Sequence, residues 1–183
     1  MSESTMATVT TELTGERGDL LQVLANARHF LRFTARDLTD EQARTRTTVS
    51  ELTIGGLIKH VSAAEQNWRE FVLQGRSAMP WDGIDFESLP PEAFEDWAGE
   101  FRLLPTETLA GVLDRYAEIA ARTDEVLAEA DLDLVQELPQ APWFTDTAWS
   151  NRRAFGHIIA ETAQHAGHAD IIRESLDGAK SMG

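Results

Sequence analysis

The sequence contains no cysteine. This absence excludes disulfide bonds, thiolate metal ligands and a cysteine nucleophile. Basic residues are also scarce, since 16 lysines and arginines stand against 31 aspartates and glutamates, for a net charge of −15. Because the phosphates of nucleic acids attract a basic face, this balance argues against a nucleic-acid partner.

Long hydrophobic runs are missing as well. No apolar stretch approaches the roughly 20 residues that a membrane-spanning helix needs, and residues 1–12 are polar without the core of a signal peptide. We therefore expect a cytoplasmic protein with no membrane association. A length of 183 residues suits a single domain, 1–183, in which residues 1–13 form a loose tail.

Four segments carry apolar residues at the spacings of an amphipathic helix. They predict long helices at residues 16–38, 53–74, 106–130 and 150–176, with a short helical turn at 39–43. The connections 76–105 and 131–147 are long and rich in proline and aromatic residues, and the first includes a predicted short helix at 91–99. No segment alternates like a strand. The expected fold is all-α, a four-helix bundle with long crossover connections.

Most candidate metal ligands fall on the last predicted helix. At about 100° per residue, one stripe about 80° wide holds His157, Glu161, His165 and His168. On the second helix, His60 borders the apolar stripe. Two imidazoles and one carboxylate, from His60, Glu161 and His165, can hold a divalent metal and leave positions open for other ligands. The alternative is that these are ordinary polar residues, either with satisfied hydrogen bonds or simply exposed.

Two segments resemble the DinB-like superfamily. Residues 53–61, Thr-Ile-Gly-Gly-Leu-Ile-Lys-His-Val, followed by Glu65 and Trp68, resemble its second helix. Residues 161–174, Glu-Thr-Ala-Gln-His-Ala-Gly-His-Ala-Asp-Ile-Ile-Arg-Glu, resemble its fourth helix. The likeness is to an actinobacterial branch of unknown function, related to the mycothiol-dependent maleylpyruvate isomerases and to thiol S-transferases.

The resemblance implies a four-helix bundle with a divalent metal held by His60, Glu161 and His165. Many members have a histidine where this chain has Glu161, whereas the maleylpyruvate isomerases carry Glu-x-x-x-His at this point. Zinc is the first expectation for the metal, and nickel, iron and manganese are compatible with the same ligands.

Three further polar residues lie near this set in the sequence. His157 is one helical turn before Glu161 and is expected to support a ligand or contact the substrate. His168 stands where many relatives have glutamine and is expected to hydrogen-bond near the site. Arg153 could face an anionic substrate at the end of the bundle. For all three, packing or solvation without a role in the site is the alternative.

The resemblance also implies a metal-dependent transferase that joins a low-molecular-weight thiol, such as mycothiol, to a small electrophilic acceptor. The lack of cysteine agrees with a thiol brought as cosubstrate, and the tryptophan-rich connections would wall an apolar acceptor pocket. Two alternatives stay open, a hydrolase that activates water on the metal and a non-catalytic protein whose site binds metal for structure or sensing. A homodimer, as in several relatives, is compatible with each of these three functions.

Overall fold

The computed structural model describes residues 13–90, 92 and 99–181. Their helices are α1 (Gly15–Thr34), α2 (Asp40–Arg44), α3 (Ile54–Gln74), α4 (Leu109–Glu129) and α5 (Asn151–Asp177). Single 3-10 turns lie at Arg76–Ala78 and Phe86–Ser88, and the strands β1 (Val135–Glu137) and β2 (Ala148–Ser150) form one small antiparallel sheet. The predicted all-α four-helix bundle is confirmed. Helix α3 packs against both α4 and α5, and α1 packs mainly against α5.

Three of the four long helices begin where a hydroxyl can replace a missing backbone partner. The side chains of Thr53, Thr108 and Ser150 each accept a hydrogen bond from a backbone N–H in the first turn of α3, α4 and α5. Two of the helices end at glycines, Gly75 after α3 and Gly178 after α5, with φ of 74° and 79°. These caps explain why the predicted bounds of α3 and α5 lie close to the observed ones.

Two predictions about elements need correction. Helix α1 ends at Thr34 rather than at residue 38, because the chain turns there and Asp37 adopts a φ of 59°. The second connection, predicted without strands, forms a hairpin with the residues that follow it, in which Gln136 pairs with Trp149. Strands of three residues are too short to show an alternating pattern. The helix predicted at 91–99 lies largely outside the described residues.

The core consists of two hydrophobic clusters that share the four long helices. One cluster includes Leu31 of α1, Val61 of α3, Tyr116 of α4 and Ala166 of α5. The other includes Leu24, Trp68, Leu127 and Ile158 of the same four helices. Between these positions each helix carries polar side chains, which we name the polar layer. Its members are Arg28, Ser62, Glu65, Thr123, Asp124, Glu161, Thr162 and His165. Among the described residues, no helix is long and apolar enough to cross a membrane.

An ion pair occupies one side of the polar layer. The guanidinium of Arg28 donates to both carboxylate oxygens of Glu65, with Nη2–Oε1 at 2.5 Å and Nε–Oε2 at 3.1 Å. Its Nη1 donates to Oδ1 of Asp124 at 2.7 Å. Glu65 is only 1% exposed, and this bidentate partner offsets the cost of burying its carboxylate. The three side chains join α1, α3 and α4 at the middle of the bundle.

Replacing Glu65 by glutamine is expected to lower the free energy of unfolding by about 3 kcal/mol, because it leaves a buried guanidinium short of a partner. Asp124 still holds Arg28, so the loss stays near the lower end of the range for broken buried pairs. The matched control is Glu51→Gln, since Glu51 pairs with Arg46 and Arg102 but its side chain is 65% exposed. That variant should cost no more than about 1 kcal/mol in urea unfolding. Equal losses for the two variants would contradict this account.

Candidate metal centre

Three side chains from two helices converge on one small volume. Nε2 of His60, on α3, lies 3.2 Å from Oε1 of Glu161, on α5. Nε2 of His165, one turn further along α5, lies 3.1 Å from the same oxygen. The potential ligand atoms of all three residues lie within 4.8 Å of one another. The structure therefore brings together the three residues that the sequence singled out.

The local sequence explains this geometry. Glu161 and His165 are four residues apart, so their side chains leave the same face of α5. The neighbouring residues Ile158 and Ala166 are buried and direct that face towards α3. His60 stands next to Val61, which is buried in the core. Packing of α3 on α5 thus carries His60 to the pair on α5.

The electrostatics of the cluster favour an ionised carboxylate. Hydrogen bonds from His165 and then from His60 hold the pKa of Glu161 well below its usual range. The carboxylate is therefore charged at neutral pH, as a metal ligand must be. Two imidazole nitrogens facing one carboxylate oxygen form a donor set that first-row divalent metals accept. The residues present fit a divalent ion.

His168 contacts the far side of one member of the set. Its Nδ1 lies 3.3 Å from Nδ1 of His165, on the edge of the ring opposite to Glu161. An imidazole that offers Nε2 to a metal keeps its proton on Nδ1 and donates it to an outer acceptor. Nδ1 of His168 occupies the position of that acceptor.

Phe101, from the first connection, stacks on the ring of His60. The two ring centroids are 3.9 Å apart and the planes differ by 20°. This contact fixes the plane of the imidazole, whose Nε2 points to Glu161. Phe101 lies in the first connection, which is rich in aromatic residues, but nothing in the sequence pairs it with His60.

A cavity of about 610 Å³ adjoins the cluster. Its described lining includes His60 and Glu161 themselves, His157, and polar side chains at Asn67 and Glu100. The remaining lining is apolar and largely aromatic, consisting of Ala64, Trp68, Trp81, Phe101, Trp143 and Phe144. This volume and composition match a site for a small organic molecule. Sequence reasoning singled out neither Asn67 nor Glu100, because an isolated polar residue carries no periodic signal.

His157 belongs to the wall of this cavity. Its ring meets Trp68 edge-on, with centroids 4.8 Å apart, and lies 5.3 Å from Trp149. Burial lowers the pKa of His157. The imidazole is therefore neutral at pH 7 and able to accept a proton or a hydrogen bond within the cavity.

Arg153 lies apart from the cluster. Its guanidinium pairs with Asp146 at 3.0 Å and covers the ring of Trp149 at 4.4 Å. It is not among the described residues that line the cavity. The structure thus gives Arg153 partners of its own and does not bring it to the three converging side chains. His29, which was not predicted as a site residue, stacks on Phe33 of α1 and is also separate from the three converging side chains.

The sequence model of the mycothiol-S-transferase family matches residues 19–178 of the chain. The chain belongs to this family. Membership confirms the resemblance to DinB-like proteins and identifies the group as mycothiol-related transferases, for which a thiol is a partner. Metal binding by His60, Glu161 and His165, the identity of the metal, the acceptor, the homodimer and the cytoplasmic location stay predictions.

No curated protein matches the chain. Among solved structures, a similar one is the crystal structure of a conserved protein from Enterococcus faecalis. It is 18% identical in sequence, with a TM-score of 0.60, and the match covers 91% of this chain and 100% of that one. At this identity the likeness shows the fold alone.

Proposed function

We propose that the protein is a metal-dependent S-transferase that joins mycothiol to a small electrophilic acceptor. Family membership supports the thiol. The observation that carries the proposal is that His60 and Glu161 belong both to the converging donor set and to the lining of the aromatic cavity. A group held by the donor set is therefore next to any molecule that the cavity holds.

The metal would be held by Nε2 of His60, Nε2 of His165 and the carboxylate of Glu161. When bound, a divalent ion lowers the pKa of a coordinated thiol and so presents thiolate at neutral pH. The chain has no cysteine of its own, which agrees with a nucleophilic sulfur that arrives as cosubstrate.

The protein side chains supply positioning and proton transfer. The stack on Phe101 orients His60, and the aromatic lining excludes water that would compete with the thiol. In the transfer, sulfur forms a bond to the electrophilic carbon, and the leaving group departs with the electron pair of the bond that breaks. A ring nitrogen of neutral His157 accepts the thiol proton and passes it to solvent.

Zinc-loaded protein supplied with mycothiol and chlorodinitrobenzene should form the aryl thioether, detected by mass spectrometry, with release of chloride. Loss of a residue that only supports a metal ligand costs a metal site about 10- to 100-fold in affinity or activity. Because His60 would itself hold the metal, the rate of His60→Ala should fall by more than this. His29→Ala is the matched control, because His29 lies on α1 outside the cluster, and its rate should equal that of the parent.

The same assay separates the proposal from its rivals. Formation of dinitrophenol without any thiol would identify a hydrolase. A rate that survives chelation of the metal, or that is equal in His60→Ala, would contradict a metal-dependent transfer.

His168 is expected to strengthen metal binding through its contact with Nδ1 of His165. His168→Ala removes the acceptor and should weaken zinc binding about 10- to 100-fold in a competition titration with a chelator. His168→Gln keeps a hydrogen-bond acceptor and should retain most of the affinity. His29→Ala again serves as the control. If His168→Ala bound zinc as tightly as the parent, the contact would have no role in holding the metal.

A further inference from the structure

We propose that the acceptor is a flat, apolar electrophile without a negative charge, and that the cavity selects against carboxylated acceptors. The inference rests on the proposed function in taking the cavity as the acceptor site. It adds the chemical class of the acceptor, which the family does not state.

The shape of the lining favours a flat molecule. Trp143 meets Trp81 and Phe144 edge-on or nearly so, with ring centroids 6.1 and 6.0 Å apart. Phe144 in turn meets Trp68 edge-on at 6.0 Å. Trp68 also stacks on Trp149, and Phe101 stacks on His60, so part of this aromatic wall is already covered by other rings. A planar ligand can pack edge-on or offset against the rings that line the cavity, which are the arrangements that aromatic pairs prefer.

The lining offers no cation to an anionic acceptor. Its charged members among the described residues are the carboxylates of Glu100 and Glu161, and no lysine or arginine lines it there. The sequence extends this observation to most of both connections, since the first has its arginines only near its ends, at Arg76 and Arg102. Residues 77–101 contain seven carboxylates and no lysine or arginine, and residues 131–149 contain four carboxylates and again neither cation.

The basic residues that flank the connections already have acidic partners. Lys59 pairs with Glu107 at 2.9 Å, and Arg102 pairs with Glu51 at 3.0 Å. Arg153 pairs with Asp146 at 3.0 Å. None of these cations is therefore available to an acceptor without breaking an ion pair.

A carboxylated acceptor would lose hydration on entering the cavity and gain no compensating partner. A bound divalent ion does not alter this balance, since its charge, that of the Glu161 carboxylate and that of a thiolate sum to zero. An uncharged aromatic electrophile pays no such cost and buries its faces against the tryptophans and phenylalanines.

The test compares two unreactive probes of nearly the same shape, dinitrobenzamide and dinitrobenzoate, which lack a leaving group. Binding to the metal-free protein is measured by calorimetry, so that neither metal nor thiol takes part. The neutral probe should bind at least about tenfold more tightly, which corresponds to about 1.4 kcal/mol. Weaker or equal binding of the neutral probe, or no binding of either probe, would overturn the inference.

A charge reversal locates the selectivity. Glu100→Lys places a cation in the lining and should remove most of the preference by strengthening the binding of dinitrobenzoate. Asp114→Lys changes the net charge equally, but Asp114 is exposed on α4 and lies outside the described lining, so the preference should persist. Equal effects of the two variants would mean that the overall charge of the protein, and not the cavity, causes the preference.

The outcome is independent of the transferase assay. Probe binding needs no catalysis, so a failed transfer reaction leaves the selectivity of the cavity testable. Conversely, zinc-loaded protein that arylates mycothiol equally well with chlorodinitrobenzene and chlorodinitrobenzoate would support the proposed function and overturn the acceptor class.

Discussion

Polar side chains buried midway along a helical bundle must find partners, and this requirement organises the protein. On one side of the polar layer, Arg28 and Glu65 neutralise each other in a bidentate pair, with Asp124 as a further acceptor. On the other side, one carboxylate, that of Glu161, faces two imidazoles. In the first group every charged side chain has a partner of opposite charge. In the second group the imidazole nitrogens and the carboxylate oxygens can still bind a metal ion, and the group borders a cavity, as a metal centre requires.

The long connections convert this cluster into a site. They carry Trp81 and Phe101 on one side and Trp143 and Phe144 on the other, and all four line the cavity beside the cluster. The helices thus provide the candidate ligands, and the connections provide most of the apolar walls and the carboxylate of Glu100. This division of roles agrees with functional specificity that resides in loops held by a rigid scaffold.

Helical periodicity was sufficient to predict much of the fold and part of the site. The stripe that contains Glu161 and His165 follows from their spacing, and His60 joins them as a histidine that borders the apolar stripe of the second predicted helix. The resemblance to DinB-like proteins implies the same three residues. The contact between Arg28 and Glu65 could not be predicted, because they lie 37 residues apart on different helices and no local pattern links them. The hairpin of β1 and β2 escaped prediction because its strands have three residues each. The stack of Phe101 on His60 depends on the path of a long connection. No hydrophobic periodicity in the sequence predicts that path.

The central claim is that His60, Glu161 and His165 hold one divalent metal, and anomalous diffraction from zinc-loaded crystals tests it most directly. The account predicts one anomalous peak per chain, about 2.0–2.1 Å from Nε2 of each of the two histidines and about 2.0–2.2 Å from a carboxylate oxygen of Glu161. A peak held by other residues, or crystals of folded protein with no peak among these three side chains, would contradict it.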